Sequence, residues 1–490
     1  MFARSTLAAA ILAVSTGAAF AAPTQITLGM VLEPPNLNPT EGAAAAVDEV
    51  VYANLFEGLT RIAPDGSVQP GLAASWDVTE GGKVYTFHLR DGVTFHDGAA
   101  FDAQDVIFSL DRARAPDSTN AQKELFTGIQ SVEALDPLTV RVTLKGPDGG
   151  FPFKMAWGDA VMVDEASIAG IATKPVGTGP YRFGEWRQGD LIRLQAYDGY
   201  WGEKPAITDA TFRFISDPTA AFAAIMAEDV DAFPNYPAVE TLPQLEADPR
   251  FKVIVGTTEG ETILAMNNTR APLDDLRVRQ AITHAVNRQD IIDGAMFGYG
   301  TPIGTHFAPH NPDYIDLTAQ SAYDPEQAKT LLAEAGVSGL KLRLALPPPP
   351  YARRGGEIIA AELAAVGIAT EITNMEWAQW LETVHNGGDF DLTVISHVEP
   401  LDIGIYGRDG YYFHYAKPEF KALMAKLQET VEPEARSALL KDAQKMIADD
   451  AVNVYLFQLP KIGVANARIE GLWANAPMPA NDLGAVRWSE

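Results

Sequence analysis

Two successive strand-helix-strand patterns in the second half of the chain constrain its fold more than any other feature. Leu340, Leu342, Leu344 and Leu346 repeat at the two-residue period of a strand, a helical run extends from about Arg354 to Val366, and Gly367 stops it. Ile368 to Ile372 reads as the next strand, Glu376-Trp377 to His385 as a second helix, and Phe390 to Ser396 as a third strand. Strands joined through helices lie parallel and cross over right-handedly, so an α/β chain with a mixed sheet covered by helices is expected. Pro347 to Pro350 reads as a loop. Upstream, apolar positions 278, 281, 282, 285 and 286 line one helical face behind Asp274 or Asp275 as cap. Asp324-Pro325 opens a further helix with Gln327 at its third position and Gly336 as its stop, and Asp217-Pro218 opens another that runs through Met226 towards a short strand at 229–233.

The first half reads differently. Ile26 to Val31 forms a first strand, and Glu33-Pro34-Pro35-Asn36-Leu37-Asn38-Pro39 the loop after it. From about 56 to 174 the chain is rich in strands and turns: Tyr85, Phe87 and Leu89 alternate with polar neighbours, and Asp91-Gly92 and Asp97-Gly98 are turn dipeptides. Gly177-x-Gly179 completes neither phosphate-loop pattern and reads as a turn.

Composition narrows the compartment and the chemistry. The 490 residues include no cysteine, which removes disulfides, thiolate catalysis, thiolate metal sites and a lipoprotein anchor. Residues 1–21 carry Arg4, an apolar run from Leu7 to Val14 and Ala19-Phe20-Ala21, the pattern of a cleavable signal peptide, so the mature chain is expected to start at Ala22 in a periplasm. Without Arg4, 36 basic residues face 64 acidic ones, a net of −28 that repels nucleic acid and anionic lipid surfaces and suits either cationic ligands or simple solubility.

No nucleophile elbow, H-E-x-x-H, S-x-x-K or paired-cysteine spacing occurs, so no enzyme and no cofactor are expected. His88 and His96 belong to no ligand pattern. His306 and His310 have the spacing of a zinc helix, but Pro302, Pro309 and Pro312 place them in a loop, and no metal site is assigned.

The run Tyr85-Thr86-Phe87-His88-Leu89-Arg90-Asp91-Gly92-Val93-Thr94-Phe95-His96-Asp97-Gly98, preceded by Leu72-Ala73-Ala74-Ser75-Trp76 and followed by Phe101-Asp102-Ala103-Gln104-Asp105-Val106, closely resembles the signature of the bacterial peptide-, opine- and nickel-binding receptors of ABC transporters. Gly177-Thr178-Gly179-Pro180-Tyr181 and the block from Asp275 to Arg288 extend the resemblance over nearly the whole chain. It implies the large two-lobed periplasmic binding protein fold with an inserted accessory α+β domain. Residues 22–55, 175–265 and 465–490 would form the first lobe, 56–174 the accessory domain and 266–464 the second lobe. It also implies a monomer that closes on its ligand and docks on an inner-membrane permease with ATPase subunits.

A receptor for zwitterionic peptides must offer each terminus an opposite charge, because a buried unpaired ion costs several kcal/mol. The resemblance assigns the ligand carboxylate to Arg353 or Arg354, in a loop before Met375-Glu376-Trp377, and the amine to Glu399 or Asp402. It puts Asn36 in a cleft loop, while Trp157, Trp377, Tyr406, Tyr411 and Tyr412 are candidate aromatic walls. An opine, oligosaccharide, nickel chelate or amine remains an alternative solute, and a secreted hydrolase an alternative class.

Overall fold

The computed structural model describes residues 22–41, 44–415 and 417–489; the expected leader at 1–21 lies outside them. An eleven-stranded mixed sheet runs through the molecule. From one edge its order is Ala369–Asn374, Lys341–Leu346, Leu392–His397, Phe251–Met266, Asn453–Asn466, Ala232–Phe233, Gln25–Met30, Asp209–Phe214, Leu191–Ala196 and Tyr181–Arg187, with Thr301–Pro302 paired to Asn453–Asn466.

The expected strand-helix-strand units form. Lys341–Leu346 pairs in parallel with both Ala369–Asn374 and Leu392–His397. Leu342, Leu344 and Leu346 enter one core with Ile359 and Leu363 of the helix Pro350–Ala365 and with Val278, Ile282 and Ala285 of the helix Leu276–Ala285. Ala345 and Ile395 face a second core on the opposite side with Trp380, Val384 and Phe413. Burial on both faces is the condition under which parallel strands occur.

Two details differ from the expectation. The helix expected from Arg354 starts at Pro350, because a proline suits the first helical position, where its missing N–H would have no partner anyway. Pro350 to Arg353 are therefore helical. The segment expected as one helix from Trp377 is a single α-turn, Trp377–Trp380, followed by a π-turn, Leu381–Asn386. That widening keeps Trp380 and Val384 in the same core, with Trp380 Nε1 donating to Thr393 Oγ1 at 2.9 Å.

The remaining helix signals hold: Asp275, Asp324 and Asp217 cap Leu276–Ala285, Pro325–Glu334 and Pro218–Met226 through their side chains. A separate four-stranded antiparallel sheet, in the order Ala73–Thr79, Val84–Leu89, Thr139–Leu144, Ile129–Asp136, carries the signature run. Tyr85, Phe87 and Leu89 point into its core against Val106 and Leu110 of the helix Ala103–Arg114.

Two strands, Phe251–Met266 and Asn453–Asn466, are long enough to serve both halves of the molecule. Phe251, Ile462 and Val464 pack in one half, whereas Ile263, Leu264, Val454 and Leu456 pack in the other. Their antiparallel ladder is interrupted between Thr257 and Glu261 and again between Thr262 and Ile263. The chain passes between the two halves along these strands, once in each direction.

Candidate functional site

Because Lys341–Leu346, Ala369–Asn374 and Leu392–His397 are parallel, their carboxyl ends lie together along one edge, the position at which open α/β sheets place ligands. Three segments emerge there: the start of the helix Pro350–Ala365, Met375-Glu376, and His397-Val398-Glu399 leading into the 3₁₀ helix Asp402–Gly407. The Ser396 N–H donates to the Tyr351 hydroxyl at 3.2 Å, which ties the helix start to the neighbouring strand end. Glu261, at the register break, pairs across from His397.

Arg353 and Arg354 diverge on successive helical positions. One Arg353 guanidinium nitrogen, Nη2, donates to the Met375 carbonyl at 3.3 Å and to the Glu376 carboxylate at 3.1 Å, while its Nε is buried and has no partner. Arg354 is exposed and lies over the Phe297 ring, 5.6 Å from its centroid.

The acidic side of the edge is built around Asp402. Its Oδ1 sits 2.7 Å from His306 Nε2 and its Oδ2 3.6 Å from His397 Nδ1. The other nitrogen of each ring meets a tyrosine: His306 Nδ1 lies 3.2 Å from the Tyr406 hydroxyl, and His397 Nε2 3.0 Å from that of Tyr412. Burial pushes the Asp402 carboxyl up, but the charge and hydrogen bond of His306 outweigh it and hold the group below the usual value. Burial, reinforced by His306, brings His397 down to about 4, so it is neutral at pH 7. Glu261 completes the cluster. It is 3% exposed, its Oε2 has no partner, and burial, then Asp402 and Glu259, raise its pKa well above the usual range.

Tyr406 and Tyr412 are fully buried, packed against Phe413 and bonded to the two histidines, so they hold the site from behind and present no face to a solute. This corrects their assignment as walls: a hydroxyl anchored on a buried imidazole draws the ring into the core. Tyr411 is half-buried beside His397, Trp377 is 43% exposed, and Glu399 is exposed with its carboxylate accepting from the Val398 N–H.

Asn36 and Trp157 stand apart from this edge. The Asn36 side chain accepts from the Asn38 N–H in the first loop. Trp157 lines a cavity of about 120 Å³ with Asn38, Asp48, Asp159 and Met478, its buried Nε1 without a partner. Burial raises Asp159 to about 7.

Sequence reasoning passed over Glu261 and treated the histidines as isolated loop residues. His306 and His310 do stand in loop, but the side chains of both are buried and serve different acids, His310 bonding Glu259 and the Thr257 hydroxyl at 2.7 Å each. The available signal was Glu259 and Glu261 two residues apart in a strand that continues as Ile263 and Ala265, which places two acids on one buried face.

The model of the bacterial extracellular solute-binding proteins, family 5 (middle region), matches residues 67–402. The chain belongs to this family. It is 34% identical over 352 residues to the dipeptide-binding protein of Escherichia coli, covering 65% of this chain and 66% of that one. With a glutathione-binding protein GsiB of Pectobacterium atrosepticum it shares 29% identity over 462 residues, 89% of each. The structure of HbpA2 from Haemophilus parasuis superposes with a TM-score of 0.88 at 23% identity, covering 95% of this chain and all of that one. The fold is thus the two-lobed one of family 5 solute-binding proteins, and these relatives are binding proteins rather than enzymes.

Proposed function

We propose that this family 5 protein is the periplasmic receptor of an ABC importer, and that it captures a peptide or peptide-like solute between its lobes and delivers it to the membrane permease. The observation that carries the reading is the opposition of charge on neighbouring strand ends. On one side stand Arg353, with a buried Nε free to donate, and the first turn of a helix whose dipole favours an anion. On the other stand Asp402 and Glu399, which with His397 bring ligand atoms within 4.8 Å of one another. A zwitterion laid along the edge meets an opposite charge at each end. Trp377 and Tyr411 are half-exposed aromatic surfaces beside it.

The dipeptide- and glutathione-binding relatives support a small ligand with a free amine and carboxylate. The lobes are read as 22–55, about 175–257 and about 460–490 against about 261–459, since the packing of Ile263 and Leu264 on one side and of Ile462 and Val464 on the other moves the expected bounds at 265 and 465 to the break in the two long strands, with 56–174 as the accessory domain and a monomer as the working form. Native mass spectrometry of the purified protein, followed by calorimetric titration of di- and tripeptides, tests the proposal. Retention of an intact peptide at one per chain supports it. Hydrolysis of the peptide, or retention only of a sugar or other ligand without a carboxylate, overturns it.

A further inference from the structure

We infer that Glu261 is a proton-linked switch on solute capture: in the free protein it carries a proton shared with Gln458, and a solute amine arriving beside Asp402 drives that proton out. Glu261 and Gln458 stand opposite each other on the two long strands, where the ladder resumes after its break. Opposed residues project to the same face of a sheet, so their side chains meet. Both are buried, and each has one oxygen without a partner, Glu261 Oε2 and Gln458 Oε1. The Gln458 amide is fixed in this orientation, because its Nε2 donates to the Thr258 carbonyl. Two buried acceptors are thus set together with no donor between them, which folded proteins rarely tolerate. A proton on Glu261 turns one of them into a donor and satisfies both.

The charges around Glu261 favour that proton. On its own strand Glu259 is held by His310, and on the neighbouring strand His397 stands opposite. From the 3₁₀ helix Asp402 bonds His306 and approaches His397, while Glu399 and Arg408, both exposed, reach Asp402. Lys461, the one cation on the strand of Gln458, donates instead to the Trp473 carbonyl at 2.6 Å. Glu261 takes part in none of these ion pairs. As a carboxylate it would be a buried charge beside two others with no cation of its own, a costly state that a proton removes. A bridging water would bond both oxygens yet leave the charge in place.

The coupling to solute rests on the reading of Asp402 as the partner of a solute amine. Glu261 and Asp402 bring oxygens within 4.8 Å of each other, and the negative charge of Asp402 is among the forces that keep the proton on Glu261. An ammonium paired with Asp402 cancels that field and adds a positive one, so Glu261 holds its proton less tightly in the complex than in the free protein. A ligand that lowers a group's pKa expels part of a proton, and it binds more tightly as pH rises through the interval between the bound and free values. Losing the proton also unmakes the bond between Glu261 and Gln458. The two long strands are therefore least tied beside their break when solute is present.

Two measurements on the full mature chain separate the proton from its coupling. Without solute at neutral pH, the infrared difference spectrum of wild type minus Glu261→Gln should contain the carbonyl band of a protonated carboxylic acid. Its absence would show an ionised Glu261 and overturn the proposal. With the dipeptide Ala-Ala, calorimetric titration in two buffers of different ionisation heat should report release of a fraction of a proton per peptide. The wild-type Kd should fall by up to about tenfold per pH unit between about pH 5.5 and 7, below the titration of the peptide's own amine. Glu261→Gln, whose amide donates to Gln458 as the acid does, should lose the proton release and flatten this dependence. In wild type alone, adding Ala-Ala should weaken the infrared band, which decides the matter if the variant does not fold. Equal proton release in both proteins would overturn the coupling while leaving peptide capture standing. Failure of Ala-Ala to bind either protein would overturn both the amine reading and the coupling, and the infrared band would still report the shared proton.

Discussion

Arg353→Ala should cost far more affinity than stability, and Arg354→Ala the reverse. In the free protein Arg353 makes one pair with Glu376, whose side chain is 82% exposed, and such exposed pairs contribute about 0 to 1 kcal/mol. Its contact with the Met375 carbonyl adds roughly as much again. Removing the side chain should therefore lower the unfolding free energy by no more than about 2 kcal/mol. In the complex, a ligand carboxylate taking Nε and a second guanidinium nitrogen is desolvated by closure, and truncating its partner costs about 2 to 5 kcal/mol, or roughly 30-fold to several-thousand-fold in Kd. Arg353→Lys should lie between, because an ammonium cannot reproduce a planar two-pronged contact. Arg354, stacked on Phe297 at the surface, should contribute about 0.5 to 1 kcal/mol to stability and nothing measurable to binding. Calorimetric titration of a peptide and of its C-terminal amide against wild type and Arg353→Ala closes a thermodynamic cycle. Amidation should hurt the wild type much more than the variant. Equal losses in both proteins, or an Arg354→Ala defect exceeding that of Arg353→Ala, would refute the reasoning.

Arg288→Met should destabilise the protein by about 3 kcal/mol or more in urea denaturation. The buried guanidinium donates to the carbonyls of Ile303, Tyr455 and Ser321, each of which would be left unmet; an unchanged midpoint would contradict this. Gly177→Ala should lower the thermal midpoint, since a methyl there overlaps the Leu55 carbonyl oxygen, a backbone atom that cannot swing away. Burial raises Glu57 to about 7 against the donors Trp201, Thr178 and Tyr200, whereas an unfolded glutamate titrates near 4.3. Between those values the folded state holds the extra proton, so this group's contribution to stability falls as pH rises from about 4.5 through 7. His397, down at about 4, acts oppositely between pH 4 and 6.5, so the comparison of variants isolates Glu57. The midpoint of Glu57→Gln relative to wild type should be higher at pH 8 than at pH 5, and a gap independent of pH would rule this out.

The sheet was legible because its signals are local. Leu342, Leu344 and Leu346 announce a strand whatever lies across from them, and Asp275, Asp324 and Asp217 cap their helices within three residues. The start of the helix at Pro350 was less visible, since four consecutive prolines read equally as a loop or as a loop feeding a helix's first position. The site was legible only in halves. Arg353 and Asp402 stand out as charges beside predicted strand ends, but the acidic cluster joins residues 261, 306, 397 and 402, whose nearness depends on strand order and on the return of a proline-rich loop. Nothing in the spacing of His306 and His310 reveals that each faces a different acid. The burial of Tyr406 and Tyr412 was likewise hidden, because a tyrosine in a polar loop looks the same whether its hydroxyl meets water or a buried imidazole.

The same break that seats Glu261 also bears on how the lobes move. Between Thr257 and Glu261 the two connecting strands lose their ladder, and the backbone groups released there find side-chain partners instead. Thr258 Oγ1 donates to the Leu459 carbonyl at 2.9 Å and accepts from the Gly260 N–H at 3.0 Å, while Gln458 Nε2 donates to the Thr258 carbonyl. A ladder bond fixes the angle between strands, whereas a side-chain bond can follow a rotation by changing rotamer, so these strands can bend here without leaving buried backbone unsatisfied. Pairing is regular on the Phe251 side, from Phe251↔Asn466 to Thr257↔Pro460, resumes with Glu261↔Gln458 and Thr262↔Phe457, and shifts once more before Ile263↔Tyr455, which leaves the three residues Thr258 to Gly260 and the second shift to absorb the change. Closure of the lobes therefore needs no rearrangement of either core. X-ray scattering should show a smaller radius of gyration on adding a peptide that calorimetry shows to bind. Thr258→Pro, which removes the hydroxyl and stiffens the break, should weaken that contraction and the affinity together. Full contraction in this variant would mean that the bend lies elsewhere.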